Sequence, residues 1–400
     1  MSALPLTGVR VLELCWVWSG PLVGQLLADL GAEVIKVEWY RRFDMYRTRG
    51  VERLAGKYPE KVRREMSQSF HGLNRNKHGV TLDLKIERHK DALLDLARQS
   101  DLVLENFTAG TLDKLGVGYD DLAQANPAIV LLSLAGFGES SRLGRMRAYG
   151  LVLSAMSGLE DKVTDPRNGA FLGSPTFVAS DPNAATFGML AAIAAVQEAR
   201  RTGQGAHVEV SQLEAAAFVG QDDEAELAAL AAELGLPATP PSGEAAIVPI
   251  GNSQHLCVDW QGRIAAPAFA QLRQDIADLD VAAAIAAVER AGGRAVKVIE
   301  ETTEFGAGAA ALDTLLPTVH PINGAENIVA APWWVEGRRP PLRKTAPTLG
   351  EGNTYVLGKL LGWSQEDCDA MQDPGRDEDK AGGGKGGKGS MSSKETGNVQ

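Results

Sequence analysis

The residue best placed to do chemistry is Asp181. It closes a small-residue turn and precedes Pro182 and an apolar run from about Ala184 to Ala199, which ends on Arg200 and Arg201. The first turn of a helix has unpaired backbone N–H groups and a positive dipole end, so a carboxylate there is held as an anion. On spacing alone two readings stay open. Asp181 is a helix cap, with Pro182 at the first helical position, or it is a carboxylate put to chemical use. Rival chemistries are thin. Cys15, Cys257 and Cys368 lie far apart and are odd in number, which suggests neither a disulfide framework nor a Cys-x-x-Cys metal site. The six histidines are scattered, and no H-E-x-x-H or P-loop is present.

The elements around these residues read as an α/β protein. Val9 to Leu14 is a buried strand, Gly20 to Leu30 a helix and Val34 to Val37 a second strand, a β-α-β opening that predicts a parallel sheet with right-handed crossovers. The turn Cys15 to Pro21 carries no G-x-G-x-x-G, so a dinucleotide fingerprint is not supported. Trp16 and Trp18 in that turn also read as core or interface packing. Arg41, Arg42, Arg47 and Arg49 read as a solvated charged face. Glu87 to Gln99 is an amphipathic helix, Leu102 to Phe107 a strand running into a turn, and Ile129 to Leu134 another buried strand. Four hundred residues exceed the size at which a single core stops growing, so two lobes are expected. The sequence divides into 1–225, a linker-like P-A-T-P-P-S, a second lobe over 240–330, a returning segment over 331–372, and a Gly, Lys and Ser tail over 373–400 without a core to bury.

A net charge of −11 argues against a nucleic-acid partner, because such binding rests on basic surface. The opening residues lack a targeting pattern and no segment reaches the length of a membrane span, so a cytoplasmic, non-membrane protein is expected.

The order of motifs resembles the class III CoA-transferase family, the formyl-CoA and carnitine CoA-transferase group. Its carriers are V-L-E-L…S-G-P…L-A-D-L-G-A-E-V-I-K-V-E near the start, Leu73-Asn74-Arg75-Asn76-Lys77 with Leu82-Asp83-Leu84, Leu102 to Phe107, Ala135-Gly136-Phe137-Gly138, and Thr202-Gly203-Gln204-Gly205 running to Ser211. The resemblance makes Asp181 the nucleophile. It makes Val17, Trp18, Ser19, Arg75, Asn76, Lys77, Asn106 and Phe107 the coenzyme A contacts, the cationic ones suiting its phosphates.

The fold it implies is a Rossmann-like parallel-sheet large domain built from both chain ends, with a smaller inserted α+β domain, abbreviated here. Two subunits interlock, as a homodimer or as a heteromer with a paralogous subunit of the benzylsuccinate CoA-transferase kind. The implied reaction moves coenzyme A from an acyl-CoA such as succinyl-CoA to a small carboxylic acid through an aspartyl mixed anhydride and an aspartyl-CoA thioester. It needs no metal and no permanently bound cofactor, coenzyme A being a substrate. Departures from the family pattern fall at Ala135, Gly150, Ser154 and Gly352, the last in place of a histidine, and they keep a non-catalytic structural subunit as the alternative. An acyl-CoA racemase fits less well, because Tyr149 stands where the racemases of the family carry a catalytic histidine.

Overall fold

The computed structural model describes residues 4–160, 178–219, 245–251, 254–259, 266–298 and 314–371. The expected linker over 237–242, the tail over 373–400 and the start of the turn before Asp181 lie outside the described residues. The rest fall into two compact units. One takes those within Met1–Ala148, Asp181–Gln212 and Arg343–Gln400, the other those within Tyr149–Ser180 and Leu213–Leu342. The first unit thus ends its middle segment at Gln212, earlier than the expected 225, and the return begins at Arg343 instead of 331.

The first unit is a six-stranded sheet of β1 (Arg10–Leu14), β2 (Glu33–Glu38), β3 (Lys77–Thr81), β4 (Leu102–Glu105), β5 (Val130–Ala135) and β6 (Ala206–Ser211), ordered β3-β2-β1-β4-β5-β6. All five pairings are parallel. Parallel strands are covered on both faces and read as near-continuous apolar runs, and Val11, Leu12, Val34, Ile35, Leu102 to Leu104 and Val130 to Leu134 are buried in keeping with that. One face packs on α4 (Glu87–Ala97), on Leu122 of α6 (Tyr119–Ala125), and on Val356 and Leu357 of the π-helical segment Thr354–Leu360. The C-terminal segment is stitched to β3. Asn353 Oδ1 accepts the Thr81 N–H at 2.9 Å and its Nδ2 donates to Thr81 Oγ1 at 2.8 Å. Gly352 N–H donates to the Gly79 carbonyl at 2.7 Å, and a Cβ at 352 would stand 2.7 Å from that oxygen. The glycine that departs from the family pattern therefore lets two backbones touch where a histidine would force them apart.

Strand order reverses at β1: the chain runs outward through β2 and β3, then returns to the other side of β1 with β4. In open α/β sheets ligands bind outside the carboxyl ends of the strands at such a switch point. Here those ends are the Cys15–Trp18 turn, which leads into α1 (Ser19–Asp29), and Asn106 after β4.

The second unit is α+β. β7 (Ala245–Ile250), β8 (Gln254–Asp259) and β9 (Arg294–Lys297) form an antiparallel sheet whose Val248, Ile250, Leu256 and Val258 pack on Leu272 and Ile276 of one helix, Ala266–Ile276, and on Ala284 and Val288 of the next, Val281–Arg290. β10 (Leu315–His320) and β11 (Gly324–Val329) form a separate hairpin. α7 (Gly150–Met156) also belongs to this unit, with Ser154 fully buried and Tyr149 ahead of it 65% exposed. Among the described residues no helix is long and apolar enough to cross a membrane.

Candidate active site

Burying charge is costly unless it is paired, and beneath the switch point the sequence buries several charges together. Register sets Glu13 of β1 beside Lys36 of β2. Lys36 Nζ donates to Glu13 at 3.0 Å, to the Cys15 carbonyl at 2.7 Å and to Asp44 Oδ2 at 3.1 Å. Burial pulls the Lys36 ammonium down, but Glu13, Asp44 and Glu38 outweigh it and hold the group above its ordinary range. Gly24 of α1 makes room for this cluster: a Cβ there would stand 1.8 Å from Glu13 Oε2.

The cluster fixes a strained turn. Val17 has φ of +74°, a conformation that L residues adopt at a cost of about 1–2 kcal/mol and that gathers at functional sites. Two side chains hold it. Asp44 Oδ1 accepts the Val17 N–H at 2.9 Å and the Tyr46 N–H at 2.9 Å. From β4, Asn106 clamps Trp16 on both sides, accepting its N–H at 2.9 Å and donating to its carbonyl at 2.8 Å. Phe107 meets Trp16 edge-on, with ring centroids 5.5 Å apart. Trp18 and Val17 pack against Tyr46, Phe70 and Ala346.

The turn delivers Ser19, and the Ser19 N–H points at the Asp181 carboxylate. Asp181 lies one residue inside α8 (Ser180–Thr202), so it occupies the first turn instead of the cap, and Pro182 follows where a missing N–H breaks no intrahelical bond. Burial raises the Asp181 carboxyl above its ordinary range, while Gln212, the first residue of α9 (Gln212–Val219), and the Ser19 N–H favour the anion. The Asp181 charge also reaches Tyr46, whose phenol burial raises and whose oxygen accepts from Arg49 at 2.7 Å. Asp181, Ser19, Val17 and Trp18 are thus brought to one place, with Asn106 and Phe107 shaping the turn.

The basic stretch goes elsewhere. Arg75, Asn76 and Lys77 are 4%, 6% and 0% exposed. Arg75 binds Asp29 through Nε at 3.1 Å and Nη2 at 2.5 Å, and Asn76 Nδ2 donates to the same carboxylate at 2.8 Å. Lys77 Nζ sits 2.7 Å from Glu13 and donates to Pro21 O and Asn74 Oδ1. Burial pulls its ammonium down to about 8 against the pull of Glu13. Arg75 and Lys77 thus pair their charge with buried carboxylates and Asn76 donates to one of them, so in the structure all three brace α1 and the cluster under the turn; the coenzyme A contacts expected of them stay a proposal. The solvated reading of the arginine run is corrected at Arg47. Its guanidinium is fully buried, bound to Glu38 at 2.7 Å and Glu65 at 2.7 Å, and 3.7 Å from the Phe70 ring centroid. Arg41, Arg42 and Arg49 are exposed.

A second feature of the first unit is a cavity of about 240 Å³ lined by Glu105, Asp113, Tyr119, Ser133, Glu139 and His207 among others. Burial pushes the Glu105 carboxyl up to about 7, against bonds from Ser133 and the Phe107 N–H. At its rim Glu139, His207 and Glu209 bring possible metal-ligating atoms within 4.8 Å of one another, two of the residues being exposed. Of His207, Nε2 is already 3.0 Å from Ser133 Oγ.

Asp44, Gln212 and the Glu13–Lys36 cluster were not expected from sequence. Asp44 carries the only available signal: an acid buried in a basic run, two residues before a Tyr whose N–H it caps.

Residues 6–247 match the model of CoA-transferase family III. Over 211 residues the chain is 36% identical to succinyl-CoA–D-citramalate CoA-transferase of Chloroflexus aurantiacus, covering 52% of this chain and 48% of that protein. It is 34% identical over 214 residues to acetyl-CoA:oxalate CoA-transferase of Acetobacter aceti, covering 52% and 51%. The chain thus spans about half the length of the curated relatives it matches. In fold it is similar to the crystal structure of a CaiB/BaiF family protein from Brucella suis, with a TM-score of 0.72, 23% identity, 90% of this chain covered and 100% of that one.

Proposed function

The chain belongs to CoA-transferase family III, and we propose that it transfers coenzyme A from an acyl-CoA to a small carboxylic acid with Asp181 as the nucleophile. The observation that carries this reading is the meeting of Asp181 with the strained β1–α1 turn: an anion at a helix N-terminus, facing the Ser19 N–H, at the switch point of a parallel sheet.

In the proposed reaction an Asp181 oxygen attacks the thioester carbonyl carbon, and the C–S bond breaks with its electron pair leaving on the coenzyme A thiolate. The thiolate then adds to Asp181 Cγ. The Cγ–O bond to the donor acyl group breaks, and the donor departs as a carboxylate, leaving an aspartyl-CoA thioester. An acceptor carboxylate runs the same steps in reverse. A carboxylate serves both halves because its acyl derivatives stay reactive. Burial raises the basicity of Asp181 and so its strength as a nucleophile, while the Ser19 N–H keeps the anion accessible. Val17, Trp18 and Ser19 are the proposed coenzyme A side of the site, with Asn106 and Phe107 holding that side in shape. Succinyl-CoA is the proposed donor, after the named donor of the Chloroflexus relative.

The test is transfer by the purified chain from succinyl-CoA to a panel of small mono- and dicarboxylates, followed by chromatography of the new thioester. Transfer that disappears in D181N and D181A is expected. Transfer that survives both removes Asp181 from the mechanism. No transfer with any pair, alone or with a co-purifying homologous subunit, favours the structural-subunit reading.

A further inference from the structure

Gln212 is 6% exposed, and among the described residues its Nε2 has no hydrogen-bond partner. A buried amide N–H left unpaired costs about 1–3 kcal/mol, so such groups are rare and call for an explanation. The position explains this one. Gln212 follows the carboxyl end of β6 and opens α9, and its amide is the larger of the two groups that favour the Asp181 anion, the other being the Ser19 N–H. Nε2 nevertheless falls short of a complete hydrogen bond to the resting carboxylate. Donors of this kind are often misaligned in the free enzyme and tighten when the reacting species is in place.

We propose that Gln212 Nε2 is a catalytic donor that, together with the Ser19 N–H, binds the negative charge forming on the Asp181 carbonyl oxygen when the thiolate, and later the acceptor carboxylate, adds to Asp181 Cγ. This rests on Asp181 being the nucleophile. When the thiolate adds to Asp181 Cγ, the C=O electron pair moves onto that oxygen. It returns as the donor carboxylate leaves. Between the neutral anhydride and the neutral thioester that charge exists only in the tetrahedral species, so a neutral amide aimed at it lowers the barrier between the two. An amide also suits the place because it stays a donor at every working pH and adds no charge beside Asp181.

The experiment uses succinyl-CoA as the probe and compares wild type, Q212M and Q212E by steady-state transfer and by hydroxylamine trapping of acyl-Asp181. Loss of one oxyanion donor costs about 100-fold to 1000-fold in kcat. Q212M, close in size and apolar, is expected to lose that much kcat with KM for succinyl-CoA within about threefold. Q212E sets a second carboxylate beside Asp181, so its acid limb is expected to move to higher pH, with part of the rate recovered on the acid side where the new carboxyl is protonated and donates. A purely structural role for Gln212 lets the added charge move the acid limb of Q212E but recovers no rate on its acid side, and it leaves the kcat-to-KM split of Q212M unmoved. Wild-type trapping at Asp181 together with wild-type kcat in Q212M overturns this proposal alone. Failure of the wild type to form any adduct at Asp181 overturns the nucleophile reading and this proposal with it. If Q212M does not fold, the pH profile of Q212E decides: no rate recovered on its acid side overturns the proposal.

Discussion

Replacing Asp44 by alanine tests whether the buried charge cluster sets the turn over Asp181. The side chain is fully buried and serves three donors: the Val17 and Tyr46 N–H groups at 2.9 Å each, and Lys36 Nζ at 3.1 Å. Removing one side of a buried ion pair costs about 3–5 kcal/mol. Glu13 stays on Lys36 at 3.0 Å, which places the charge loss at the low end. Each orphaned N–H adds about 1–3 kcal/mol unless water reaches it. D44A is therefore expected to lose at least about 4 kcal/mol, a large part of the roughly 5–15 kcal/mol that an ordinary protein has. D44N keeps the Oδ1 acceptor for both N–H groups but turns the Oδ2 acceptor of Lys36 into an NH2 donor, so about 3 kcal/mol is expected, the ion-pair loss without the orphaned N–H groups. Urea denaturation gives both numbers. Transfer activity measured well below the first unfolding transition gives the second half of the test: D44A falls by at least tenfold because Val17 relaxes and the Ser19 N–H turns away from Asp181, while D44N falls less. A D44A protein as stable as wild type, or folded with wild-type turnover, refutes the reasoning.

Three further outcomes follow. G24A drives a methyl into Glu13 Oε2, 1.8 Å from the ideal Cβ position, and is expected to destabilise by about 1–3 kcal/mol by denaturant titration; an unchanged midpoint means that Glu13 is not wedged against α1. Lys77 has its pKa lowered from 10.5 to about 8 on folding, so the unfolded chain binds more protons in that window and wild-type stability rises with pH from about 8 to 10.5; K77M is expected to lose that slope, and KM for acyl-CoA little changed makes Lys77 a brace under the turn, whereas a large rise in KM makes it a ligand contact. Asp181 has its carboxyl raised above 3.8 in the folded state, so its ionisation costs stability as pH rises through and above that value; D181N is expected to be more stable than wild type at pH 7 and equal to it at acid pH, and a D181N that is less stable at pH 7 contradicts the burial argument.

Much of the frame was legible because apolar periodicity reports burial directly. β1, α1, β2 and β5 fall within a residue of their sequence reading, and α4 starts at the expected Glu87 and ends two residues early. Helix boundaries were less so: α8 starts at Ser180, which moves Asp181 from cap to first turn, because Pro182 is tolerated anywhere in the first turn and does not mark one position. Charge was misleading. Arg47, Lys36 and Lys77 are fully buried, and a single sequence gives no sign of that, since what makes burial possible is a partner brought in by tertiary structure: Glu38 and Glu65 for Arg47, Glu13 for the two lysines. Gln212 is silent in sequence for the same reason, its neighbour Asp181 lying 31 positions away, as the numbering shows.

The central claim is that Asp181 carries the acyl group. Incubation of the wild-type chain with succinyl-CoA, a hydroxylamine quench and peptide mass spectrometry reads this directly. The account predicts a hydroxamate on the Asp181 peptide that requires the thioester and is absent without it. An Asp181 peptide left unmodified under conditions in which the same sample transfers coenzyme A contradicts it.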